Sequence, residues 1–453
     1  MRFYQLHLRQ IRAKENARIW LKHRDLRNGL NMQLLSTPLS SGRKALYLVT
    51  MLSATFLALT AFLSWNRPAV ALFGTSSTSQ AQGDVTEVTL ADLALSKVLQ
   101  DSSPIFGHYD DSQSSTATWM AAYSDDTKIV HMNLPGTHDA ATWNYSQATQ
   151  KSMKPITDLR HLEEAIPTFF RCQAKPMIEM LNAGIRAFDL RYAYDITRTT
   201  LVFWHGHALQ SETATLDDVL FGFYHWLDNH PTEALFLSFQ HEGGDNDRKT
   251  QSMLYDTLTS PAAHDYVLQT RGTLGTLGEA RGKITLLRRF DLDLLPPSYE
   301  ASIPGLHFSP KNWTVNGANI ELVYNTTTHE TAYIEDYYHP DTPHGSKAEE
   351  NIRWKLNATE AHLRRASESH PGDLFWTFAS STNTDNEPPD TPRIQALGNG
   401  TANGVNQQLV PFLKSMQGKR LGILMFDFFE EPAGLVPLYL SLLPPKQARN
   451  YGK

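Results

Sequence analysis

The chain has 453 residues, of which 41% are hydrophobic and 19% are charged, a composition that supports a large buried core and excludes wholesale disorder. Its net charge of −6 gives no overall reason to expect a nucleic-acid partner. Cys172 is the only cysteine, which excludes an intrachain disulfide and predicts that no cysteine-based metal site can form. We expect Cys172 to be a buried thiol.

The amino-terminal part of the sequence is basic and is followed by a long apolar run. Residues 1–44 carry many arginines and lysines, and their only acidic residues are Glu15 and Asp25. The uncharged run over 45–65 has about the 20 residues that a transmembrane helix needs. Its basic flank predicts a cytoplasmic tail, with the rest of the chain lumenal or extracellular. No polar face interrupts the run, which argues against a buried helix of a globular domain.

A cleaved signal peptide is the alternative interpretation of this run. Residues 69–71 (AVA) resemble a signal-peptidase site, and translation from Met32 would shorten the leader, so that the protein would be secreted. The length of the run favours a signal anchor. Sequons for N-glycosylation, which are consistent with the secretory pathway, occur only after the run, at Asn144, Asn312, Asn325, Asn357 and Asn399.

The next segment, 66–117, is predicted to be a flexible linker. Its stretches over 74–84 and 110–118 are small and polar, as in flexible tethers, and a short amphipathic helix over 88–99 lies between them. Residues 118–445 are then left as one folded domain.

The domain over 118–445 contains a series of short, nearly continuous apolar runs. Such runs are typical of strands in a parallel sheet that is buried on both faces. Helical patterns lie between several of them, most clearly from Thr215, which forms a capping box with Asp218, to about Asn229, and from Glu349 to about Ser369. This alternation predicts a (β/α)8 barrel of the TIM type. The predicted strands cover 129–133, 185–191, 201–205, 234–240, 283–290, 332–338, 374–380 and 421–428.

Polar side chains stand at the ends of these strands, one strand after another. In a (β/α)8 barrel the carboxyl ends of the strands converge on one mouth, where active sites lie. We therefore expect two histidines, at least one arginine and several carboxylates to face a common cavity. The candidate residues are His138, Asp189, Arg191, His205, Gln240, Arg288, Arg289, Asp336, Tyr338 and Asp427.

These residues lie in motifs that resemble the X-domain of phosphatidylinositol-specific phospholipase C. The resemblance covers roughly 119–442 and is carried by motifs that occur in the same order as in the family. It is closest to the secreted bacterial type, in which a distorted (β/α)8 barrel cleaves phosphodiesters by general acid–base catalysis. The motifs are LPGTHD at 134–139, GIRAFDLR at 184–191, WHG at 204–206, TLGEARGKI at 276–284, IEDYY at 334–338 and the final strand that ends at Asp427.

The resemblance implies a role for each catalytic candidate. His138 would be the general base that activates the inositol 2-hydroxyl, and His205 the general acid that protonates the departing diacylglycerol oxygen. Asp427 would orient His138. Asp139 and Asp189 would be supporting carboxylates behind the two histidines.

The residue type at position 191 distinguishes the metal-dependent from the metal-independent enzymes of this family. Eukaryotic members of the family carry an acidic residue at its position and use it to bind calcium, which prefers about six to eight oxygen ligands. A guanidinium can instead bridge two phosphoryl oxygens. We therefore predict that Arg191 replaces the metal and that no metal or other cofactor is needed. The simpler interpretation, a structural ion pair with Asp189, is compatible with this role.

The resemblance also implies a lipid substrate. Asp336 and Arg289 would hold inositol hydroxyls and Tyr338 would stack on the ring, while Gln240 stands where the bacterial enzymes carry lysine. Which of Arg288 and Arg289 faces the pocket is open, because neighbouring residues of a strand point to opposite sides. The predicted partner is a phosphatidylinositol-type phospholipid at a membrane surface, with no nucleic acid, and the protein is expected to be a monomer.

Two alternatives remain open at this point. A related barrel could cleave another lipid or a glycerophosphodiester, although such enzymes rely on a metal held by acidic residues near the second strand. The chain could also be a catalytically idle, membrane-tethered lipid-binding protein. A serine hydrolase and a zinc protease are excluded, because neither Gly-x-Ser-x-Gly nor His-Glu-x-x-His occurs.

Overall fold

A computed structural model describes residues 89–110, 114–157, 166–386 and 388–451. The described residues from Ala94 onward belong to one compact unit. The predicted tail (1–44), the predicted transmembrane segment (45–65) and the linker up to residue 88 lie outside the described residues and stay predictions. Among the described helices, none is both long enough and apolar enough to cross a bilayer.

The strands of the described residues form one sheet that curls into a nearly closed barrel. The strands are β1 (Leu134–Thr137), β2 (Ala187–Tyr194), β3 (Leu201–His205), β4 (Ala208–Leu209), β5 (Leu235–His241), β6 (Ile284–Arg289), β7 (Leu306–His307), β8 (Ile320–Asn325), β9 (Glu330–Glu335), β10 (Leu374–Phe378) and β11 (Ile423–Phe426). Eight of them pair in parallel in the order β7-β6-β5-β2-β1-β11-β10-β9, so that the last strand of the chain pairs with the first.

Helices and short turns connect the parallel strands on the outside of the barrel. The α-helices of the described residues are α1 (Leu90–Phe106), α2 (Gln147–Thr157), α3 (Met177–Ala183), α4 (Leu216–Asn229), α5 (Arg248–Leu258), α6 (Pro261–Tyr266), α7 (Leu277–Ala280), α8 (Pro297–Ser302), α9 (Ala348–Glu368), α10 (Pro392–Leu397), α11 (Val405–Ser415), α12 (Leu435–Ser441) and α13 (Pro445–Asn450). Helix α4 begins after the predicted capping box of Thr215 and Asp218, and α9 matches the predicted helix over 349–369.

The predicted TIM-type barrel is therefore confirmed in its coarse form, with a distortion on one side. Where a regular barrel has a helix between its fifth and sixth parallel strands, this chain has β8, which pairs antiparallel with β9. No pairing joins β7 to β8 among the described residues, so the barrel is open at that seam. The predicted strand over 201–205 is β3, which pairs antiparallel with β2 and lies outside the parallel barrel.

The first barrel strand differs from its prediction. Residues 129–131, predicted as strand, form a 3-10 turn, and β1 lies just after the predicted strand, over residues that include Pro135 and Gly136, which are typical of turns. Gly136 is the reason. A Cβ at this position would lie 2.4 Å from the sulfur of Met425 and 2.9 Å from the Cβ of Ala187. The glycine thus permits the close approach of β2 and β11 to β1, rather than ending the strand.

Helix α1 corresponds to the short amphipathic helix that was predicted over 88–99 within the linker, but it continues to Phe106. Its last residues, Ile105 and Phe106, are buried in the core, and the Phe106 ring packs edge-on against Phe223 at 5.2 Å. A Cβ on Gly222 would lie 2.8 Å from the Phe106 ring, so the glycine admits this ring. The chain is therefore anchored to the barrel at Phe106, 12 residues before the predicted domain start at 118.

A buried ion pair fixes the amino-terminal end of the barrel, opposite the predicted mouth. Arg186, just before β2, donates from Nε and Nη2 to Oε2 of Glu233, just before β5, at 3.0 and 2.7 Å. Both side chains are fully buried. The remaining guanidinium protons bond to the backbone carbonyls of Leu181, Ile185 and Ala117.

We expect Glu233→Gln to destabilise the protein by about 3–5 kcal/mol, because the substitution leaves a buried guanidinium without its counter-charge. Chemical denaturation followed by circular dichroism measures this loss. The matched control is Glu360→Gln, which breaks a pair with Arg364 on one face of α9 and should cost about 0.5 kcal/mol or less. Equal losses in the two variants would contradict the assigned importance of the buried pair.

Candidate active site

A cavity of about 540 Å³ lies at the carboxyl ends of the parallel strands and contains the predicted site. Asp139 and Asp189 are fully buried beneath it. The structure thus brings together the six candidate catalytic residues and the four candidate binding residues, while the role of each stays a prediction. They are His138, Asp139, Asp189, Arg191, His205 and Asp427, and Gln240, Arg289, Asp336 and Tyr338. Those that line the cavity are His138, Arg191, His205, Gln240, Arg289, Asp336, Tyr338 and Asp427.

His138 follows β1 directly and is held between Asp427 and Arg191. Its Nδ1 lies 2.9 Å from Oδ1 of Asp427, and its Nε2 lies 2.6 Å from Nη2 of Arg191. A guanidinium only donates, so Nε2 must carry the lone pair and Nδ1 the proton that is donated to Asp427. Burial, reinforced by the charge of Arg191, lowers the pKa of His138 well below its usual value. The imidazole is therefore neutral, with its basic nitrogen toward the cavity, as a general base requires.

The backbone around His138 is fixed by Gln173, which the sequence did not single out. Its Nε2 donates to the carbonyl of His138 at 2.7 Å and to that of Phe426 at 2.9 Å. This amide joins the ends of β1 and β11, the two strands that supply His138 and Asp427. Burial raises the pKa of Asp427 well above its usual value, and the cation Arg191 opposes that rise.

His205 stands on the other side of the cavity and is paired with Asp139. Its Nδ1 lies 3.0 Å from Oδ2 of Asp139, and its ring packs edge-on against Phe170 at 5.6 Å. Asp139 has φ of 43°, a left-handed conformation that is uncommon for a residue with a side chain. The consecutive residues His138 and Asp139 therefore belong to two different histidine–aspartate pairs. His138 contacts Asp427, whereas Asp139 contacts His205. The centroids of the two imidazoles lie 6.4 Å apart.

The environment of His205 favours its neutral form when the cavity holds no substrate. Burial lowers the pKa of His205 to about 4, with a partial offset from Glu242 and a further lowering by Arg191. Because Nδ1 faces Asp139, the opposite nitrogen, Nε2, is the one available for proton transfer to a ligand.

Arg191 lies between the two histidines and is held by carboxylates on three sides. It donates from Nε and Nη2 to Oδ2 of Asp189, both at 3.1 Å, and from Nη1 to both oxygens of Glu242 at 3.0 and 3.2 Å. Oδ2 of Asp139 lies 3.8 Å from Nε. Burial alone would lower the pKa of Arg191, but Glu242, Asp189 and Asp139 raise it above its usual value. The guanidinium is therefore charged and its plane is fixed.

Arg289 and Asp336 face each other on the far side of the cavity. Nη2 of Arg289 lies 3.3 Å from Oδ2 of Asp336, and the indole Nε1 of Trp313 donates to the same oxygen at 2.8 Å. The guanidinium carbon of Arg289 lies 3.8 Å from the centre of the Trp313 ring. Arg288 instead donates to Glu300 at 2.6 Å and does not line the cavity. Of the two neighbouring arginines, Arg289 is therefore the one that faces the cavity.

The end of β5 offers polar atoms that have no hydrogen-bond partner in the part of the chain that the structure describes. Gln240 Oε1 and His241 Nε2 are buried, and neither has a hydrogen-bond partner among the described residues. Both side chains line the cavity, as does Tyr338 near its entrance. A polar ligand could therefore bond to Gln240 and His241 without displacing an existing contact.

Several residues of the site were not predicted from the sequence. Glu242 follows β5 by one residue, so a search for every acid near a strand end would have included it. Trp313 belongs to the segment between β7 and β8, whose placement depends on the open seam. Cys172 lines the cavity with its Sγ 3.9 Å from Nδ1 of His205, and nothing in the sequence connects it with that histidine.

Among the described residues, two groups could hold a metal ion, and both contain Cys172. One is His138, Cys172 and Asp427, and the other is Asp139, Cys172 and His205. The space between Asp139, Asp189 and Glu242 is instead occupied by the guanidinium of Arg191.

Comparisons with known proteins agree with this architecture. No family model matches the chain. The 1-phosphatidylinositol phosphodiesterase of Listeria monocytogenes is 25% identical over 325 residues, which cover 70% of this chain and 82% of that protein. The human PI-PLC X domain-containing protein 1 is 26% identical over 183 residues, which cover 38% of this chain and about half, 52%, of the human protein.

Solved structures with the same fold include phosphatidylinositol-specific phospholipases C. A mutant of the enzyme from Staphylococcus aureus superposes with a TM-score of 0.56 at 17% identity, covering 73% of this chain and 98% of that one. The enzyme from Listeria monocytogenes superposes with a TM-score of 0.51 at 22% identity, covering 72% of this chain and 97% of that one. At these identities the structural likeness establishes the fold.

Proposed function

Because this chain is a homologue of bacterial phosphatidylinositol phosphodiesterases and of PI-PLC X-domain proteins, we propose that it cleaves phosphatidylinositol-type lipids at a membrane surface without a metal cofactor. The observation that supports the proposal best is the pair of histidine–aspartate contacts on either side of Arg191. One cavity thus offers a neutral base, a second imidazole and a fixed cation, which are the groups that an internal phosphoryl transfer requires.

In the proposed reaction, Nε2 of His138 takes the proton of the inositol 2-hydroxyl, whose oxygen attacks the phosphorus. The bond from phosphorus to the glycerol oxygen breaks, and Nε2 of His205 supplies the proton that this oxygen needs. The products are a cyclic inositol phosphate and diacylglycerol. Positioned proton transfers contribute about 10²–10⁴-fold to the rate, and the internal hydroxyl adds the advantage of a reaction within one molecule.

Arg191 would stabilise the charge that develops on the phosphoryl oxygens. In the free protein its Nη2 contacts Nε2 of His138. The substrate hydroxyl must take over this position next to His138, and Nη2 would then turn to a phosphoryl oxygen. Asp189 and Glu242 hold the rest of the guanidinium during this change. Asp427 and Asp139 act as positioning residues, because they contact the histidines rather than the reacting atoms.

The far side of the cavity would bind the inositol headgroup. Arg289 and Asp336 offer a donor and an acceptor for neighbouring hydroxyls, and Tyr338 offers a ring face near the entrance. Trp313 holds the Arg289–Asp336 pair in place by its hydrogen bond and its ring contact. Gln240 presents a neutral amide, which suits a hydroxyl at that position.

The location of the protein is a further part of the proposal. A signal anchor over 45–65 would hold the barrel near its lipid substrate on the lumenal or extracellular side. The sequon residues Asn144, Asn312, Asn357 and Asn399 are exposed and Asn325 is half-exposed, so their accessibility is compatible with glycosylation in that compartment.

The direct test is incubation of the full chain with phosphatidylinositol vesicles, with and without excess chelator, followed by phosphorus NMR. We expect the signal of a cyclic phosphodiester, formed at the same rate in both samples. Loss of product in the chelator sample would contradict the role of Arg191 as the replacement for a metal. No product in either sample would contradict this substrate class, and glycerophosphodiesters and other phospholipids would be tested next.

The rate should depend on pH in a bell-shaped manner. His138 must be neutral, so kcat/KM falls at low pH, and His205 must be protonated, so kcat/KM falls at high pH. The pKa values of both histidines are lowered in the free protein, that of His205 to about 4, so the maximum of kcat/KM should lie below about pH 6.5. In the complex, the phosphodiester anion raises the pKa of His205, and the maximum of kcat should lie at higher pH. Profiles that are flat between about pH 5 and 9 would contradict the pair.

A further inference from the structure

Cys172 is a buried sulfur at the centre of the site for which the proposed reaction has no use. Its N–H donates to Oγ1 of Thr142 at 3.0 Å, and its carbonyl accepts from the N–H of Phe428 at 2.9 Å. The backbone is therefore fixed, and the Sγ reaches the cavity beside His205. Burial, with Asp427 and Asp139 nearby, raises the pKa of the Cys172 thiol well above its usual value. A thiol in this state is a poor nucleophile, which argues against a covalent role.

The ligand atoms of Asp139, Cys172 and His205 all lie within 4.8 Å of one another, and the two distances from Nδ1 of His205 are close to those of a tetrahedral zinc site. The Sγ of Cys172 lies 3.9 Å from Nδ1 of His205, and that nitrogen lies 3.0 Å from Oδ2 of Asp139. With Zn–S near 2.3 Å and Zn–N and Zn–O near 2.0–2.1 Å, tetrahedral coordination places sulfur about 3.6 Å and oxygen about 3.3 Å from the nitrogen. Shifts of a few tenths of an ångström would therefore admit the ion.

A second observation points independently to a missing cation. Oδ1 of Asp139 is fully buried and has no hydrogen-bond partner among the described residues. The nearest guanidinium, that of Arg191, is bound to Asp189 and Glu242 and reaches Asp139 only at 3.8 Å. Asp189 also lies 3.9 Å from Nη1 of Arg289. Asp139 is therefore the least satisfied of the three carboxylates, because neither of its oxygens has a hydrogen-bond partner among the described residues.

We propose that Asp139, Cys172 and His205 form an inhibitory site for Zn²⁺, whose fourth position faces the cavity. The class of metal follows from the donors, because thiolate and imidazole select zinc over calcium and magnesium, which prefer oxygen. A single cysteine argued against such a site in the sequence, but the fold supplies the missing imidazole and carboxylate. The inhibitory effect, though not the binding, rests on the proposed function.

Inhibition follows from the atoms that the ion would occupy. Zn²⁺ binds the thiolate, so Cys172 releases its proton, and it takes Nδ1 of His205, whose proton moves to Nε2. The ion then replaces the direct contact between Nδ1 of His205 and Oδ2 of Asp139. The zinc-bound imidazole can no longer become a doubly protonated cation, so it cannot serve as the general acid.

The other group, His138, Cys172 and Asp427, is a less favourable site. Nη2 of Arg191 lies 2.6 Å from Nε2 of His138, so a dication at that imidazole would face the guanidinium directly. At His205 the corresponding contact is absent among the described residues, and Asp139 lies between the imidazole and Arg191.

The test is titration of the full chain with Zn²⁺ by calorimetry and with Co²⁺ by absorption, in the original protein, in Cys172→Ala and in His207→Ala. His207 is an exposed histidine between β3 and β4, two residues after His205, and serves as the matched control. We expect one bound ion, one released proton and a thiolate-to-cobalt absorption band in the original protein and in His207→Ala. Cys172→Ala should lose the band and bind Zn²⁺ at least about 10–100-fold more weakly, since even outer partners of a metal contribute that much.

Activity measured in parallel separates the two parts of the proposal. With phosphatidylinositol vesicles, Zn²⁺ should inhibit the original protein, whereas Cys172→Ala should keep its basal rate and lose the inhibition. Unchanged Zn²⁺ affinity in Cys172→Ala would overturn the site, whether or not the chain is an enzyme. Binding without inhibition of an active protein would overturn the inhibitory effect. Cys172→Ser, which keeps the size of the side chain, repeats the test if Cys172→Ala fails to fold.

Discussion

Arg191→Lys is expected to lower kcat by about 10²–10³-fold, the cost of removing one donor that stabilises transition-state charge. Lysine keeps the positive charge, but its ammonium cannot span Asp189, Glu242 and a phosphoryl oxygen at the same time, as the planar guanidinium can. The loss should appear in kcat more than in KM, because the phosphoryl charge develops in the transition state. Initial rates on phosphatidylinositol vesicles measure both constants.

The control for this variant is Arg198→Lys. Arg198 is also an arginine paired with carboxylates, Asp245 and Asp247, but its side chain is 43% exposed and does not line the cavity. We expect its rate to equal that of the original protein. If Arg191→Lys retained nearly full activity, Arg191 would have no part in the chemistry, and its contacts with Asp189 and Glu242 would be structural alone.

Most strands of the barrel could be predicted from the sequence because the parallel strands are buried on both faces and are therefore apolar along their length. Apolar runs such as those of β5, β6 and β10 cannot be mistaken for surface segments, and their order around the barrel follows the order of the chain. β1 was misplaced because Pro135 and Gly136 are usually signs of a turn. Here Gly136 is required by the sulfur of Met425, a contact between residues 289 positions apart that no local pattern encodes.

The distortion of the barrel could not be predicted from local sequence patterns, for a related reason. β7 has only two residues, too few for a periodic signal, and β8 alternates exposed and buried residues in its first part, unlike the other barrel strands. The open seam between them places Trp313 over Arg289. The residues with chemistry at strand ends were predictable, whereas the aromatic side chain that positions one of them was not.

Within the site, motifs predicted the catalytic candidates but not how they are paired. The strand ends indicated His138, His205 and Asp427. Asp139 contacts His205 rather than His138 because of its positive φ. Cys172 reaches His205 because of the course of a loop outside the barrel strands. Both are properties of the assembled chain.

His138→Ala and His205→Ala are each expected to reduce turnover by about 10²–10⁴-fold on phosphatidylinositol, but a change of leaving group should separate them. A substrate analogue that releases a phenol-type leaving group needs no protonation of the departing oxygen. His205→Ala should therefore recover most of its rate on that analogue, because the general acid is no longer required. His138→Ala should remain slow, because the attacking 2-hydroxyl still has to lose its proton.

The control is His207→Ala, which removes an exposed imidazole close to His205 in sequence and should leave both rates unchanged. Co-sedimentation with vesicles checks that all variants still bind lipid. Retained binding with lost turnover in His138→Ala would reject a catalytically idle lipid-binding protein. Equal recovery of both histidine variants on the activated analogue would contradict the assignment, because the base and the acid respond to different atoms of the substrate. His138 has its basic nitrogen fixed by Asp427 on the opposite side of the ring, so it is the histidine that should stay essential whatever group departs.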